Sequence, residues 1–441
     1  MLLLMMISLK HAYPHYIFSN FASAYKVEKF DIYNQFPCLM WKTESRYNLL
    51  MSHITPIGIT NWRSSNIPFG IKDKDRLQHI YIIGKTGVGK STLMQQMMVS
   101  DIERGNGIAI LDPHGDTAEF ILSHIPEERK KDVIYFNSQD LAHPAYFNPL
   151  WSRSKDSFHL ITSNLIATFK HIWGESWGPR LEYILRQCIL TLLASGNKTL
   201  LDIPPLLVNP LFRETVLATI DNNQLLSFWK YEYDKYPPAL RAEATTPILN
   251  KVGVFTANTI LKTITGHPTK TISFDTIMNN KQILICNLAK GIIGEDVAAL
   301  LGSMLLSGIH MAAMQRASIP QQHRTPFYCY IDEMHSFISG AFIPVLSESR
   351  KYGLSLCMAH QYLNQLPEEI RAAIFGNVGT IISFRLGAED AAYMAEEFYP
   401  VCSQDDFINL PPFHMYLRLL IDGLASKPFS AVTCGLQKEM Q

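Results

Sequence analysis

The sequence predicts an α/β fold: a mostly parallel central sheet with an all-α module inserted into it. Three observations carry the prediction. From His79 onward, short apolar runs alternate with helical segments, the texture of parallel βαβ units. Between Trp151 and about Gly266 the strand texture stops and helical spacing takes over. The first apolar run, His79-Ile80-Tyr81-Ile82-Ile83, leads straight into a glycine-rich turn and then a helix.

In chain order, residues 1–70 are rich in aromatics and weakly periodic, an N-terminal extension of unassigned role. Strands are expected at His79–Gly84, Gly107–Asp112 and Asp132–Asn137, with a helix from about Lys90 to Glu103. In the helical stretch, Leu181–Leu193 (LEYILRQCILTLL) carries helical spacing, and Pro204-Pro205 and Pro237-Pro238 mark breaks. Strands resume at Gln282–Leu288, Phe327–Asp332, Leu354–Gln361 and Gly379–Arg385. This reading divides the chain into the extension, a first core part at 71–150, an inserted all-α domain at 151–270 and a second core part at 271–441.

Composition narrows the class. At roughly 150 residues per domain, 441 residues make two or three folding units. The 39 Lys+Arg cancel 39 Asp+Glu, and the apolar fraction is 47%, so a mostly disordered chain is excluded. Bulk charge gives no attraction to an acidic polymer; DNA would need a local patch. Seven cysteines stand at 38, 188, 286, 329, 357, 402 and 434, none in a CxxC pair. That pattern reads as reduced, buried cysteine of a cytosolic protein. The first eight residues (MLLLMMIS) are apolar but too short to cross a bilayer, and no uninterrupted apolar run is long enough for a membrane helix.

The strongest motif is Gly84-Lys85-Thr86-Gly87-Val88-Gly89-Lys90-Ser91, a full GxxxxGK[ST] match, with Thr92 next in the helix. Glycines let backbone N–H groups wrap a phosphate, Lys90 neutralises it, and Ser91 offers a hydroxyl to Mg²⁺. The helix that follows aims its positive end at the same anion. Chance produces the match in roughly 1 of 70 chains this long, before the strand-loop-helix context is counted.

A phosphate loop needs an acid at a neighbouring strand tip. Tyr328-Cys329-Tyr330-Ile331-Asp332-Glu333 supplies two: Asp332 for the metal and Glu333 to take a proton from attacking water. Asp112, in Asp112-Pro113-His114-Gly115-Asp116, is balanced between turn chemistry and a place beside the phosphates. His114 has no second ligand at useful spacing and is rejected as a metal site. Gln361 ends the strand Ser355–Gln361 and is a candidate sensor of the γ-phosphate. Arg350 precedes that strand; spacing alone makes it a surface arginine, and Arg385 is a second candidate at the next strand end. Lys72, Lys74 and Arg76, and Arg129-Lys130-Lys131, form two small basic clusters interspersed with acids, which reads as solvated faces. Trp173 and Trp177 read as core packing.

Together these stretches resemble the HerA/FtsK superfamily of hexameric pumping ATPases, and within it the type IV secretion coupling proteins of the TraG/TraD kind. The carrying segments are IIGKTGVGKSTL, LDPHGDTAEFILSHIPEERKKDVIYFNSQD, YFNPL, ESWGPRLEYILR, YIDEMHSF, SESRKYGLSLCMAHQYLNQL, SFRLGAEDA and DGLASKPFSAVT, most of residues 70–435. The resemblance implies a RecA-like P-loop core with an inserted all-α domain. It implies that ATP and Mg²⁺ bind at residues 84–92, with Asp332 and Glu333 as the acidic strand-end pair. It puts Arg350 where the family has an arginine acting across subunits, and Gln361 where it has a polar sensor. It also implies a homo-oligomeric, hexameric ring with DNA in the channel, and a relaxase or secretion-channel proteins as candidate partners. Membrane-bound coupling proteins carry an N-terminal transmembrane hairpin that this sequence does not show, so a cytoplasmic place, with membrane association through partners, is expected. The competing classes are a protein-handling ATPase of the same superfamily and a nucleotide-controlled switch that barely hydrolyses.

Overall fold

A computed structural model describes residues 53–61, 66–338 and 342–433. Its backbone is an eleven-stranded mixed sheet in the order β2-β1-β13-β10-β9-β3-β8-β7-β4-β6-β5. The strands are β1 (Ile54–Thr60), β2 (Pro68–Lys72), β3 (Ile80–Ile83), β4 (Gly107–Asp112), β5 (Val133–Asn137) and β6 (Ile283–Asn287). They continue with β7 (Phe327–Ile331), β8 (Leu354–His360), β9 (Thr380–Ser383), β10 (His414–Arg418) and β13 (Phe429–Val432). A separate hairpin pairs β11 (Leu420–Ile421) with β12 (Leu424–Ala425).

The seven strands from β9 to β5 are mutually parallel, and they are the seven expected from the sequence. Six of them are apolar runs because both faces are covered: β3, β4, β6, β7, β8 and β9 are buried at every position. Period two divides their side chains between two cores. Ile80 and Ile82 face one, Tyr81 and Ile83 the other. The first core is closed by helix α1 (Lys90–Glu103) and helix α2 (Asp116–Ser123).

The second core runs without a break into the helical segment between β5 and β6, where every element is helical. Its long members are α3 (Phe158–Ile172), α4 (Pro179–Ser195) and α5 (Pro238–Ala257). Trp173 and Trp177 pack against this core as expected, the Trp177 indole N–H donating to Glu182 at 2.8 Å.

Against the same face lies α6 (Glu295–Gln315). With the following turn it spans Glu295–Ser318, long and apolar enough to cross a membrane, a stretch the sequence reading passed over. Burial explains its composition: 72% of its apolar 18-residue window is inside the protein. Gly302 on α6 admits the ring of Phe337, whose atoms would lie 2.2 Å from any Cβ placed there.

Three expectations are revised. Within the stretch left unassigned in the sequence, Ile54–Thr60 and Pro68–Lys72 form β1 and β2 and extend the sheet through antiparallel pairing to β13. Arg76 is not on a solvated face: it is fully buried, paired bidentately with Asp101 at 2.7 and 3.0 Å, and its guanidinium lies 3.7 Å over the Tyr328 ring. Arg129 is tucked in, donating to the carbonyls of Ile102, Asn106 and Lys281. Lys72 and Lys74 keep the expected exposure of a surface, both paired with Asp422. Cysteines 188, 286, 329, 357 and 402 are free and buried, while Cys38, Cys434 and the apolar residues 1–8 lie outside the described residues.

Candidate functional site

Because β3, β7 and β8 run parallel, their C-terminal ends share one edge of the sheet, and the strand-end residues meet there. The loop after β3 folds over the start of α1. Gly87 and Gly89 have φ of +75° and +114°, a region that side chains with a Cβ rarely enter. Gly89 is also pressed by Phe413 and Phe384, leaving no room for a Cβ.

Lys90, the first residue of α1, is only 6% exposed, and its ammonium donates to the carbonyls of Gly84 (2.7 Å) and Lys85 (2.9 Å). Burial pulls its pKa down, offset by the charges of Glu333 and Asp332. The ammonium is thus held inside the loop by two neutral oxygens that an anion can replace.

Ser91 places its hydroxyl 3.5 Å from Asp332 Oδ2. Burial, then the neighbouring charges of Glu333 and Asp112, push Asp332 up to about 6. The Ser91 hydroxyl and the Asp332 carboxylate together present oxygen ligands of the kind a hard divalent cation prefers. Asp112 itself is engaged in turn chemistry, accepting from the backbone N–H of His114 and of Ala118, both at 2.9 Å. Among the described residues no cluster of three His, Cys, Asp or Glu forms a ready metal cage.

Glu333 stands at φ +46°, unusual for a residue other than glycine and costing roughly 1–2 kcal/mol. The strain turns its carboxylate back towards Gln361, whose amide donates to Glu333 Oε1 at 2.6 Å. The other end of the Gln361 side chain accepts from the Thr86 hydroxyl in the phosphate loop at 3.0 Å. Gln361 therefore bridges loop and carboxylate. Two residues that looked like unrelated strand ends in the sequence are in direct contact.

Arg350 lies elsewhere. It belongs to the turn before β8, at the opposite edge of the sheet, and is exposed. The seven residues of β8 separate it from Gln361, roughly 23 Å of strand, so it does not reach this chain's own loop. Arg385 follows β9 at the phosphate-loop edge, where its carbonyl accepts from the Lys85 N–H at 3.0 Å.

Three further polar residues, unmarked in the sequence reading, sit beneath the site. His335 has Nδ1 3.4 Å from Glu333 Oε2. Gln365 contacts His335 Nε2 through its amide nitrogen at 3.2 Å, and His360 bonds the Tyr81 hydroxyl at 2.5 Å. Their only sequence signal is spacing from recognised residues: His335 two after Glu333, His360 one before Gln361 and Gln365 four after it.

The family described as "Helicase HerA, central domain" matches residues 57–307, more than half of the chain. The bacterial plasmid coupling protein TrwB, in complex with the non-hydrolysable ATP analogue ADPNP, is 15% identical with a TM-score of 0.63, over 85% of this chain and 88% of that one. TrwB in complex with ADP and Mg²⁺ gives 14% identity and a TM-score of 0.60, over 85% and 90%. VirB4 of Thermoanaerobacter pseudethanolicus is 14% identical with a TM-score of 0.59, over 86% and 95%. No curated protein matches the sequence.

Proposed function

The chain belongs to the helicase HerA central-domain family, and on that premise we propose that it is an ATP-hydrolysing motor, working as a hexameric ring, that grips and translocates DNA in conjugative transfer, type IV secretion or related DNA pumping. The resemblance read from its motifs agrees with the family match and with the fold shared with TrwB and VirB4. The observation that carries the reading is the convergence of Lys90, Ser91, Asp332, Glu333 and Gln361 on one sheet edge. The division into core parts at 71–150 and 271–441 and an inserted all-α domain at 151–270 belongs to the same proposal.

Residues 84–92 hold the triphosphate, with Lys90 leaving the carbonyls of Gly84 and Lys85 to meet the phosphate oxygens. Bound Mg²⁺ supplies further neutralisation of the triphosphate charge; Ser91 and Asp332 are the residues that hold it. Glu333 accepts a proton from the attacking water. Gln361, spanning Thr86 and Glu333, reports the state of the loop to the carboxylate. Arg350 acts on the nucleotide of a neighbouring subunit, where a planar cation stabilises spreading phosphoryl charge.

Steady-state ATP hydrolysis at low salt, without DNA and then with single-stranded or duplex DNA, tests the proposal. Marked stimulation by either form is expected. Appreciable hydrolysis indifferent to both replaces DNA with a protein substrate, and near-zero turnover after ring assembly makes the chain a nucleotide-controlled switch.

A further inference from the structure

We propose that His335, in a tautomer set by Gln365, is the positioning residue that holds the Glu333 carboxylate in line for the attacking water. The inference rests on the proposed hydrolysis at Glu333 and deepens it.

Glu333 is 5% exposed, and only one of its oxygens, Oε1, is hydrogen-bonded. Oε2 is buried without a formed hydrogen bond, and so is the atom that faces it, His335 Nδ1, 3.4 Å away. Two buried polar atoms that face each other and nothing else are costly unless they pair. Long, bent contacts of this kind tighten when a site is loaded.

The direction of the contact follows from Gln365. Its side-chain oxygen receives two backbone N–H donors, from Gln361 and Tyr362, both at 3.2 Å. Backbone N–H groups only donate, so the atom they meet is Oε1 and the remaining atom, Nε2, is a donor. That donor meets His335 Nε2 at 3.2 Å, which must therefore present its lone pair. A neutral His335 then carries its proton on Nδ1, aimed at Glu333. Burial keeps His335 below the ordinary histidine range, although Glu333 and Glu295 pull it up and Lys290 and His114 push it down.

The same logic extends backwards. His360 Nδ1 donates to Gln365 Oε1 at 3.3 Å, leaving His360 Nε2 to accept from the Tyr81 hydroxyl at 2.5 Å. Every proton in the series Tyr81, His360, Gln365, His335 points towards Glu333. Aligned donors polarise one another, so the series stabilises a negative carboxylate. The turn Met334–Ser336 that carries His335 is itself braced, with Ser336 N–H donating to the Glu333 carbonyl and Phe337 seated against Gly302.

Isosteres of the two ring nitrogens provide the test. Asparagine places an amide near Nδ1, and glutamine places one near Nε2. His335→Ala and His335→Gln should lower kcat for ATP by about tenfold to a hundredfold with KM nearly unchanged, while His335→Asn recovers most of the loss. Gln365→Glu, which offers His335 only acceptors and so reverses its tautomer, should lower kcat without weakening ATP binding. Wild-type kcat in His335→Gln and His335→Ala, or His335→Asn as poor as His335→Ala, overturns the proposal. Histidine ¹⁵N spectra of the nucleotide-free chain should show His335 protonated on Nδ1. An Nε2–H signal overturns the proposal even in a chain that hydrolyses nothing, an outcome that by itself would overturn only the motor reading.

Discussion

In the proposed mechanism Lys90 and Glu333 have separable duties. Lys90→Ala removes the charge that the loop holds between two carbonyls, and ATP affinity should fall by about a hundredfold or more. Titration with a fluorescent ATP analogue measures this, and retained tight binding would remove the phosphate-loop assignment. Glu333→Gln keeps the side-chain shape but takes away the proposed base. ATP affinity should persist while kcat drops by about 10²–10⁴-fold, and an undiminished rate would show that another group activates water. The loop was legible in the sequence because its eight residues are contiguous and each type has a local reason. Glu333 and Gln361 were legible singly, as polar ends of apolar strands. Their contact, and the His335–Gln365 pair beneath it, were not, because the order of parallel strands creates those proximities and no local spacing encodes them.

At the scale of elements, Arg76 is the tie between the added edge of the sheet and the nucleotide helix. Its guanidinium joins Thr55 on β1, Asp101 on α1 and Tyr330 on β7, all without solvent contact. Arg76→Ala leaves the buried Asp101 with Arg104 as its remaining cationic partner and should cost about 3–5 kcal/mol of stability. Denaturant unfolding reads this directly; a loss under 1 kcal/mol would mean that Arg104, which also pairs with Asp101, suffices. The parallel strands were predictable because continuous apolar runs suit burial on both faces. β1, β2 and β10 escaped notice for the opposite reason. β1 and β2 contain Pro56, Gly58, Pro68 and Gly70, tolerated near an edge, and β10 alternates half-buried His414, Tyr416 and Arg418 with buried Met415 and Leu417. Arg76 was misread as surface because its partner Asp101 lies in the next helix and only folding brings them together.

For the whole molecule, three buried histidines govern the response to acid. Burial lowers His79 and His310 to about 4 and His360 to about 3. An unfolded chain takes up these protons near pH 6.5, and the folded one does not. Their contribution is therefore intact above about 6.5 and lost as pH falls from there towards 4. Asp332, raised to about 6, and Asp390, also raised by burial, oppose the loss at the acid end, while His171 and His335, also lowered by burial, add to it. Tm should decline as pH is lowered from 7 to 5, and a flat or rising profile would show that these side chains are solvated. Arg350 is tested by mixing. Subunits carrying Arg350→Ala should regain turnover when co-assembled with Lys90→Ala subunits, which supply a working arginine but no nucleotide site. No recovery would remove the role across the interface.

The placement of Arg350 and Gln361 at opposite ends of β8 has a consequence for assembly. On the role proposed for Arg350, each subunit is a plug at one end and a socket at the other, so a two-fold dimer joining like ends would complete no site. Head-to-tail association completes one site for every joint made, and an open row always leaves one socket unfilled at its end. Closing the row into a ring is the step at which all sockets become equivalent. Turnover per subunit should therefore climb with protein concentration and level off at the concentration where rings predominate.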